Sequence, residues 1–206
     1  GIVGVSTAEW LRRDGHDVTL IDRVDPGDPA QASYGNAGVL ANSGVVPVPG
    51  PGLLAKAPGM LLDRDGPLFL RWAYLPRLLP WLVPHLMTGR RAEVHRISAA
   101  LATLVSDTLA QHRALARGTP AERHATRGAY TYLYRDAEAR AADAFGQALR
   151  DAAGIRSEPL SRAELLEEDP GLGPRYAAGL RFPDSGHLDD PGAYVAALCG
   201  HFRAGG

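Results

Sequence analysis

Cysteine is almost absent from this sequence of 206 residues, which contains only Cys199. A single cysteine cannot form a disulfide within the chain or share a metal ion with a second thiolate. The seven histidines include no pair spaced three or four residues apart, the spacing that puts two metal ligands on one face of a helix. We therefore expect no metal site and a reducing, cytoplasmic setting.

An excess of charge of either sign is also missing. The sequence has 22 Lys and Arg residues against 23 Asp and Glu residues, which gives a formal net charge of -1. This balance provides no general attraction to nucleic acid or to anionic lipid. Nucleic acid is therefore not expected as a partner, and the 45% hydrophobic content is that of an ordinary globular protein.

The sequence also lacks an uninterrupted apolar run long enough to span a membrane. Residues 66–87 are rich in Leu and Trp, but Arg71 and Arg77 lie inside this stretch. Three prolines interrupt it at four-residue intervals: Pro76, Pro80 and Pro84. We expect two short helices packed over a pocket. The alternative is a peripheral contact of residues 67–87 with the inner face of the plasma membrane, through Trp72, Leu75, Leu79, Trp81 and Leu82.

The first 22 residues, GIVGVSTAEWLRRDGHDVTLID, contain most of a dinucleotide-binding unit. Gly1 and Gly4 have the spacing of the second and third glycines of the G-x-G-x-x-G turn. A helical segment follows, then the β-branched run 17–21, which predicts a strand, and then Asp22. The strand and glycine that normally open such a unit are not in the sequence, and we therefore expect Gly1 to be interior to the motif.

This unit predicts specific contacts with a dinucleotide. The free N–H groups and positive dipole at the start of a helix favour a pyrophosphate. A carboxylate at the end of the second strand accepts the hydroxyl hydrogens of an adenosine ribose and disfavours a 2′-phosphate. The candidate cofactor-binding residues of this unit are Gly1, Ile2, Val3, Gly4, Asp22 and Arg23.

The rest of the chain alternates helical and extended patterns. The region 24–66 is rich in Gly and Pro and predicts mostly loop, whereas the apolar spacing of residues 91–117 predicts one long helix. A strand with one tyrosine face is expected at 128–135, followed by a single helix from Asp136 to about residue 153. The remaining signals are a strand at 155–160, a capping box at Ser161 and Glu164, a strand at 177–182, and a helix over 191–203 that is capped by Asp190.

Three stretches resemble the D-amino-acid dehydrogenase branch of the FAD-dependent amine oxidoreductases, the family of D-amino-acid oxidase, glycine oxidase and sarcosine oxidase. They are the partial fingerprint at 1–23, ASYGNAGVL at 32–40 and DGPLFLRWAYLPRLLPWL at 65–82. The resemblance covers the whole chain but only the amino-terminal half of a family member. It implies FAD as the cofactor, with Ser33, Asn36, Ala37 and Gly38 near the pyrophosphate and flavin.

The resemblance also implies an α/β fold. A Rossmann-like FAD-binding domain without its first strand would carry an inserted α+β substrate domain, and the whole would be incomplete at both ends. Residues 1–46 would form the FAD-binding βαβ portion, 47–188 the helical and α+β substrate portion, and 189–206 the helix that returns to the FAD-binding domain.

The implied activity is oxidative deamination of D-amino acids to 2-oxo acids and ammonia, with electrons passed to a respiratory acceptor. No catalytic residue is assigned, because the family draws much of its substrate clamp from the carboxy-terminal half. Three alternatives stay open: a glycine- or sarcosine-type amine oxidase, a non-catalytic FAD-binding subunit, and a nicotinamide-binding Rossmann protein. We expect this chain alone to bind FAD poorly and to be inactive.

Overall fold

The structure is a computed structural model that describes residues 1–53 and 71–205. Its helices are α1 (Ile2–Arg13), α2 (Leu75–Met87), α3 (Arg91–Val105), α4 (Thr108–Ala116), α5 (Ala137–Ala142), α6 (Ala144–Ala152), α7 (Arg162–Glu168) and α8 (Pro191–Ala204). Its strands are β1 (Val39–Leu40), β2 (Ala125–Arg127), β3 (Tyr130–Tyr134), β4 (Glu158–Ser161), β5 (Ala178–Phe182) and β6 (Gly186–Leu188). Short 3₁₀ turns lie at Trp72–Tyr74 and Glu122–His124.

The strands form two antiparallel sheets of three strands each. In the first sheet, in the order β1-β6-β2, Gly186 lies opposite Leu40 on one side and Arg127 on the other. In the second sheet, in the order β3-β5-β4, Leu180 lies between Tyr132 and Pro159. Because β1 pairs with β6, the first sheet joins strands from two of the three predicted domain portions. The domain boundaries predicted at residues 46 and 188 stay a prediction.

Helix α1 packs against α8, and their buried side chains form the larger core cluster. Val5 of α1 and Leu198 of α8 are both fully buried there, together with Leu115 from the end of α4. Burial of such side chains supplies the main favourable free energy of folding. The second cluster lies on the second sheet, where Phe182, Leu180, Val45 and Ile155 are buried.

A buried carboxylate ties α1 to its surroundings. Glu9 is fully buried and accepts hydrogen bonds from the guanidinium groups of Arg12 (3.0 Å) and Arg13 (2.6 Å). Arg13 also donates to the carbonyl oxygens of Ala114 and Leu115 at the end of α4. Burial alone raises the pKa of Glu9, but the hydrogen bonds from the two arginines outweigh it and hold this pKa below its ordinary value.

Several local predictions are confirmed. Ser161 and Glu164 form the predicted capping box at the start of α7, with both reciprocal hydrogen bonds present. Asp190 caps α8 by accepting the N–H of Ala193 at 2.8 Å, and Pro191 is the first helical residue. The strands predicted at 128–135, 155–160 and 177–182 correspond to β3, β4 and β5.

The predicted strand at residues 17–21 is wrong. This segment is extended, with Val18 and Leu20 half-buried and their neighbours exposed, but it is not part of either sheet. A strand requires a neighbour that accepts and donates ladder hydrogen bonds. None of the described strands lies beside this segment, and the segment therefore runs as extended loop.

One long helix was predicted at 91–117, but the structure has two helices there, α3 and α4. The prediction of a single helix is therefore wrong. The break falls at Ser106 and Asp107, where the hydroxyl of Ser106 donates to the carbonyl of Ala102. The hydroxyl of Thr108 likewise donates to the carbonyl of Val105 at 2.8 Å. Short polar side chains that bond to the backbone compete with helical hydrogen bonds, which explains the break.

The helix predicted from 136 to 153 is likewise divided, into α5 and α6 at Asp143. The carboxylate of Asp143 accepts hydrogen bonds from the hydroxyl of Tyr134 (2.9 Å) and from the guanidinium of Arg150 (2.8 Å). These tertiary contacts hold Asp143 between the two helices. Burial, followed by the hydrogen bond to Asp143, raises the pKa of Tyr134 to about 12.

In the described part of the apolar stretch, residues 71–87, a 3₁₀ turn leads into one α-helix, where two short helices were predicted. Helix α2 contains Pro80 and Pro84, and Pro76 stands in its first turn. In an α-helix the carbonyl of Pro76 would accept the N–H of residue 80, and the carbonyl of Pro80 would accept the N–H of residue 84. Both positions are prolines, which have no N–H group, so these two carbonyls have no helical donor. Pro76 and Pro80 are exposed, so water can hydrate these carbonyls. Residues 54–70, which include the start of the predicted membrane-contact segment, lie outside the described residues. Within the described ranges, no helix is long and apolar enough to cross a membrane.

Candidate functional site

The largest cleft near the predicted cofactor residues opens at the start of α1 and has a volume of about 620 Å³. It lies between α1, the segment that leads into β1, α4 and the first turns of α8. Its lining residues are Ile2, Val3, Ser6, Thr7, Ser33, Asn36, Ala37, Gly38, Val39, Leu40, His112, Leu188, Pro191 and Val195. Six of the ten predicted cofactor residues therefore line one cleft.

The start of α1 presents backbone N–H groups to this cleft. Gly1 is the N-cap, and the N–H of Ile2 donates to the hydroxyl oxygen of Ser33 at 2.9 Å. A Cβ atom on Gly1 would lie 3.1 Å from the same oxygen, so the close approach of the two segments favours glycine. The N–H groups of Val3 and Gly4 have no intrahelical acceptor because of their position in the first turn.

Asp22 lies beside Gly1 although 21 residues separate them in the sequence. One carboxylate oxygen of Asp22 is 3.0 Å from the amino nitrogen of Gly1 and 2.8 Å from the side-chain nitrogen of Gln31. The other oxygen accepts the N–H of Arg23 at 2.7 Å. The hydrogen bond from the terminal ammonium group of Gly1, followed by that from the N–H of Arg23, holds the pKa of Asp22 below its ordinary value. Asp22 is therefore an ionised acceptor at the start of α1.

A second cleft of about 400 Å³ lies on the other side of Asp22. Residues 22–26 form one wall, and the end of α8 forms the other with Cys199, Phe202 and Arg203. Arg203 pairs with Asp25 across this cleft at 2.8 Å. Asp22 and Arg23 thus line the second cleft, while the first turn of α1 and the 33–38 segment line the first.

The segment 33–38 is held in a turn by its own asparagine. The side-chain oxygen of Asn36 accepts the N–H of Gly38 at 2.7 Å, and its amide nitrogen donates to the carbonyl of Ser33 at 3.1 Å. Gly38 has a φ of +65°, and a Cβ there would collide with the carbonyl oxygen of Leu188. The carbonyl of Gly38 accepts the N–H of Leu188 at 2.7 Å, which anchors the turn to β6.

Sequence reasoning missed the lining residues that distant elements supply. His112 comes from α4, Leu188 from β6, and Pro191 and Val195 from α8. No local motif marks His112 or Leu188. The signal for Pro191 was present, because the Asp190-Pro191 pair predicts a helix start, and helix starts are common ligand-binding positions.

Together, the two clefts fit a dinucleotide. The start of α1 supplies N–H donors for a pyrophosphate. The ionised carboxylate of Asp22, 3.0 Å from the amino nitrogen of Gly1, supplies acceptors for ribose hydroxyl groups. Glycine at positions 1 and 38 permits a close approach of backbone segments that a side chain would obstruct. The volumes of about 620 and 400 Å³ lie in the range of ligand pockets. In residues 1–53 and 71–205, no cluster of His, Cys, Asp and Glu is suited to a metal ion.

Comparison with known proteins finds relatives along the full chain. The D-amino-acid oxidase of Bradyrhizobium diazoefficiens is 41% identical over 207 residues, which cover all of this chain and 49% of that protein. D-amino acid dehydrogenase 2 of Ralstonia nicotianae is 36% identical over 198 residues, or 95% of this chain and 45% of that protein. The chain therefore spans about half the length of the curated relatives that it matches.

Solved structures with the same fold include two flavin oxidases. Glycine oxidase from Bacillus cereus matches all of this chain and 42% of its own, with a TM-score of 0.54 and 16% identity. L-α-glycerophosphate oxidase from Mycoplasma pneumoniae, solved with FAD bound, matches all of this chain and 41% of its own, with a TM-score of 0.55 and 15% identity. These matches confirm the predicted α/β class with an FAD-binding fold.

A family model described as DAO, FAD dependent oxidoreductase, matches residues 1–206. This match spans every part of the chain that carries the two clefts, and it confirms the resemblance drawn from the three sequence stretches. The cofactor of the family is FAD. The chain therefore belongs to the DAO family of FAD-dependent oxidoreductases.

Proposed function

We propose that the complete protein that carries this chain is a D-amino-acid dehydrogenase. It would deaminate D-amino acids oxidatively to 2-oxo acids and ammonia and pass the electrons to a respiratory acceptor. The observation that carries the proposal is the convergence of Gly1, Asp22 and Ser33 at the start of α1. The names of the relatives, D-amino-acid oxidase and D-amino acid dehydrogenase, support the substrate class.

In this proposal the chain supplies most of the FAD contacts. The N–H groups of Val3 and Gly4 would face the pyrophosphate, because they lie in the first turn, where the helix offers unpaired donors. Gly1 and Ile2 would border the pyrophosphate, with their own donors bound to Asp22 and Ser33. Asp22 would accept the hydroxyl hydrogens of the adenosine ribose, with Arg23 beside it in the 400 Å³ cleft.

The segment around the 620 Å³ cleft would hold the part of FAD nearer the flavin. Ser33, Asn36, Ala37 and Gly38 would pass along it, and the internal hydrogen bonds of Asn36 would keep the turn in the binding conformation. We retain residues 1–46 and 189–206 as FAD-binding portions and 47–188 as the substrate portion.

The chemistry that bound FAD would supply is an acceptor for a hydride equivalent from the α-carbon of the substrate. The contribution of this chain is to bind and orient that cofactor and to exclude water from it. We assign no catalytic acid, base or carboxylate-binding residue to these 206 residues.

The test is the visible absorption spectrum of the complete protein, recorded without oxygen before and after addition of D-alanine. The proposal requires flavin bands that bleach with D-alanine. Bleaching by sarcosine or glycine alone would favour an amine oxidase of another specificity, and bands that no amine bleaches would favour a non-catalytic FAD-binding subunit. Absence of flavin from the complete protein would contradict FAD binding and revive the nicotinamide alternative.

We also propose that residues 71–87 contact an anionic membrane surface on the cytoplasmic side. Helix α2 has no buried residue, and Trp72 and Trp81 are 64% and 60% exposed. Exposed tryptophans suit the boundary between lipid headgroups and acyl chains. Arg71 and Arg77 are exposed beside them and would pair with anionic headgroups.

Sedimentation with anionic vesicles tests this contact. We expect the complete protein to sediment with the vesicles, and the double variant Trp72→Glu/Trp81→Glu to stay in the supernatant. Leu104→Glu is the matched control, because Leu104 is 73% exposed on α3, outside this segment. Equal sedimentation of the double variant and the unaltered protein would contradict the proposal.

A further inference from the structure

His112 is a titratable side chain in the 620 Å³ cleft that none of the contacts above uses. Among the described residues that line this cleft it is the only titratable one, and the other polar side chains there are the neutral Ser6, Thr7, Ser33 and Asn36. The cleft wall thus has no carboxylate that would repel a phosphate. His112 lies in the middle of α4, across from the first turn of α1.

The imidazole of His112 is held by a buried tyrosine of α8. Its Nδ1 atom is 3.1 Å from the hydroxyl oxygen of Tyr194, which is also 3.3 Å from the carbonyl oxygen of His112. Tyr194 is fully buried, and burial raises its pKa to about 12, so its hydroxyl keeps its proton. The two rings are tilted by 49° with centroids 5.7 Å apart.

These contacts determine which ring nitrogen carries the proton. Burial lowers the pKa of His112, so the imidazole is neutral at physiological pH and has one N–H group. The hydroxyl of Tyr194 has one proton, and both contacts form together only when it donates to the carbonyl of His112 and accepts the Nδ1–H group. Nδ1 therefore carries the proton, and Nε2 is a hydrogen-bond acceptor. Across residues 1–53 and 71–205, no hydrogen-bond partner contacts Nε2.

We propose that His112 is a cofactor-binding residue whose Nε2 atom accepts a hydrogen bond from a hydroxyl group of FAD in this cleft. The proposal rests on the proposed FAD binding of the complete protein. The hydroxyl groups of FAD need acceptors, and the N–H groups of α1 can only donate. A neutral acceptor fixed by Tyr194 supplies the complementary contact on the other wall of the cleft.

Two substitutions separate this role from simple packing. In His112→Asn the shorter amide reaches about as far as Nδ1, so it retains a partner for Tyr194 and loses the acceptor in the cleft. In His112→Gln the longer amide reaches about as far as Nε2, so its oxygen retains the acceptor in the cleft and the contact with Tyr194 is lost. Tyr194→Phe keeps a ring of the same shape and removes the hydroxyl that fixes the imidazole.

The measurement is the Kd of the complete apoprotein for FAD, from quenching of flavin fluorescence. We expect His112→Asn to raise the Kd about fivefold to tenfold, the effect of a lost hydrogen bond between neutral groups. His112→Gln should stay within about threefold of the unaltered protein, and Tyr194→Phe should lie between the two. The thermal unfolding midpoint of each apoprotein reports any loss of packing separately.

The outcomes distinguish the inference from the proposed function. An unaltered protein that binds no FAD would overturn both. FAD binding that is unaffected by His112→Asn would overturn the role of His112 alone. An equal weakening by His112→Asn and His112→Gln would also overturn it, because that result assigns the effect to packing against Tyr194.

Discussion

The two three-stranded sheets of this molecule are stabilised in different ways. In the first sheet, backbone segments meet so closely that side chains are excluded. A Cβ on Gly186 would lie 2.7 Å from the carbonyl oxygen of Thr126, and one on Gly38 would collide with the carbonyl of Leu188. In the second sheet, large side chains fill the space. The rings of Tyr132 and Phe182 lie 4.9 Å apart, and the guanidinium of Arg150 lies 4.9 Å from the ring of Tyr132.

This difference suggests separate roles, with cofactor binding near the first sheet and folding stability in the second. A region that depends on glycine turns exposes backbone N–H and C=O groups to a ligand, and the 620 Å³ cleft that we propose for FAD borders this region. A region that depends on buried aromatic rings gains its free energy from apolar burial and ring contacts. We therefore expect substitutions in the first region to change FAD affinity, and those in the second to change the free energy of unfolding.

The largest effect on stability is expected for Phe182→Ala. Phe182 is fully buried on β5 against Tyr132 and Arg150, so truncation leaves a cavity and should lower the free energy of unfolding by about 3–5 kcal/mol. Urea unfolding of the complete protein measures this change. Leu133→Ala is the control, because Leu133 is 38% exposed on the neighbouring strand. A loss of FAD affinity without a loss of stability would show that the two regions are not separable.

A smaller loss of stability and a larger loss of FAD binding are expected for Gly38→Ala. The positive φ of Gly38 and the collision of a Cβ with Leu188 together should cost about 2–3 kcal/mol and displace the 33–38 turn. Gly35→Ala is the matched control, since a Cβ on Gly35 meets nothing within 4 Å and its φ lies outside the left-handed region. The affinity for FAD, measured by fluorescence titration, should fall only for Gly38→Ala. Equal affinities of the two variants would contradict the assignment of this turn to the cofactor site.

The buried carboxylate of Glu9 on α1, outside both sheets, should make the free energy of unfolding depend on pH. The pKa of Glu9 in the folded protein lies below the ordinary value of 4.5. The ionised carboxylate therefore contributes its full stabilisation above pH 4.5, and this stabilisation is lost as the pH falls through the lowered pKa. Glu9→Gln should lower the free energy of unfolding by about 1–3 kcal/mol at neutral pH, because charge-assisted hydrogen bonds to the arginines are lost.

Unfolding measured from neutral to acidic pH tests this expectation. The unaltered protein should lose more stability on acidification than Glu9→Gln does. Glu93→Gln is the control, because Glu93 forms an exposed pair with Arg96 on α3 and exposed pairs contribute little. Parallel pH profiles for the unaltered protein and Glu9→Gln would contradict a role for this carboxylate.

Local signals in the sequence were sufficient for much of the fold. The capping box at Ser161, the cap at Asp190 and the alternation of Tyr130, Tyr132 and Tyr134 each depend on a few neighbouring residues, and each appears where it was predicted. The same is true of the helix after Gly1. The break between α3 and α4 also had a local signal, since Ser106, Asp107 and Thr108 all compete for backbone hydrogen bonds.

Other features depend on contacts between distant residues. Asp143 divides α5 from α6 because Tyr134 and Arg150 donate to it, and neither contact is visible in the local pattern. The segment 17–21 has the composition of a strand, but pairing is a property of two segments. His112 entered the candidate site only when α4 was placed against α1. Gly1 and Asp22, by contrast, were predicted as cofactor-binding residues from the order of the dinucleotide-binding unit, and their mutual contact became visible only in the structure.

The smallest effects are expected at two helix caps, and they sharpen the comparison of the two regions. Asp190→Ala removes the cap of α8 at the 620 Å³ cleft that we propose for FAD, and Ser161→Ala removes the cap of α7 at the second sheet. Each should lower the free energy of unfolding by about 1 kcal/mol, the usual effect of losing a cap. Only Asp190→Ala should also weaken FAD binding, because Pro191 and Val195 of α8 line the 620 Å³ cleft. Equal effects of the two variants on the Kd for FAD would mean that the helix start at α8 does not shape the cofactor site.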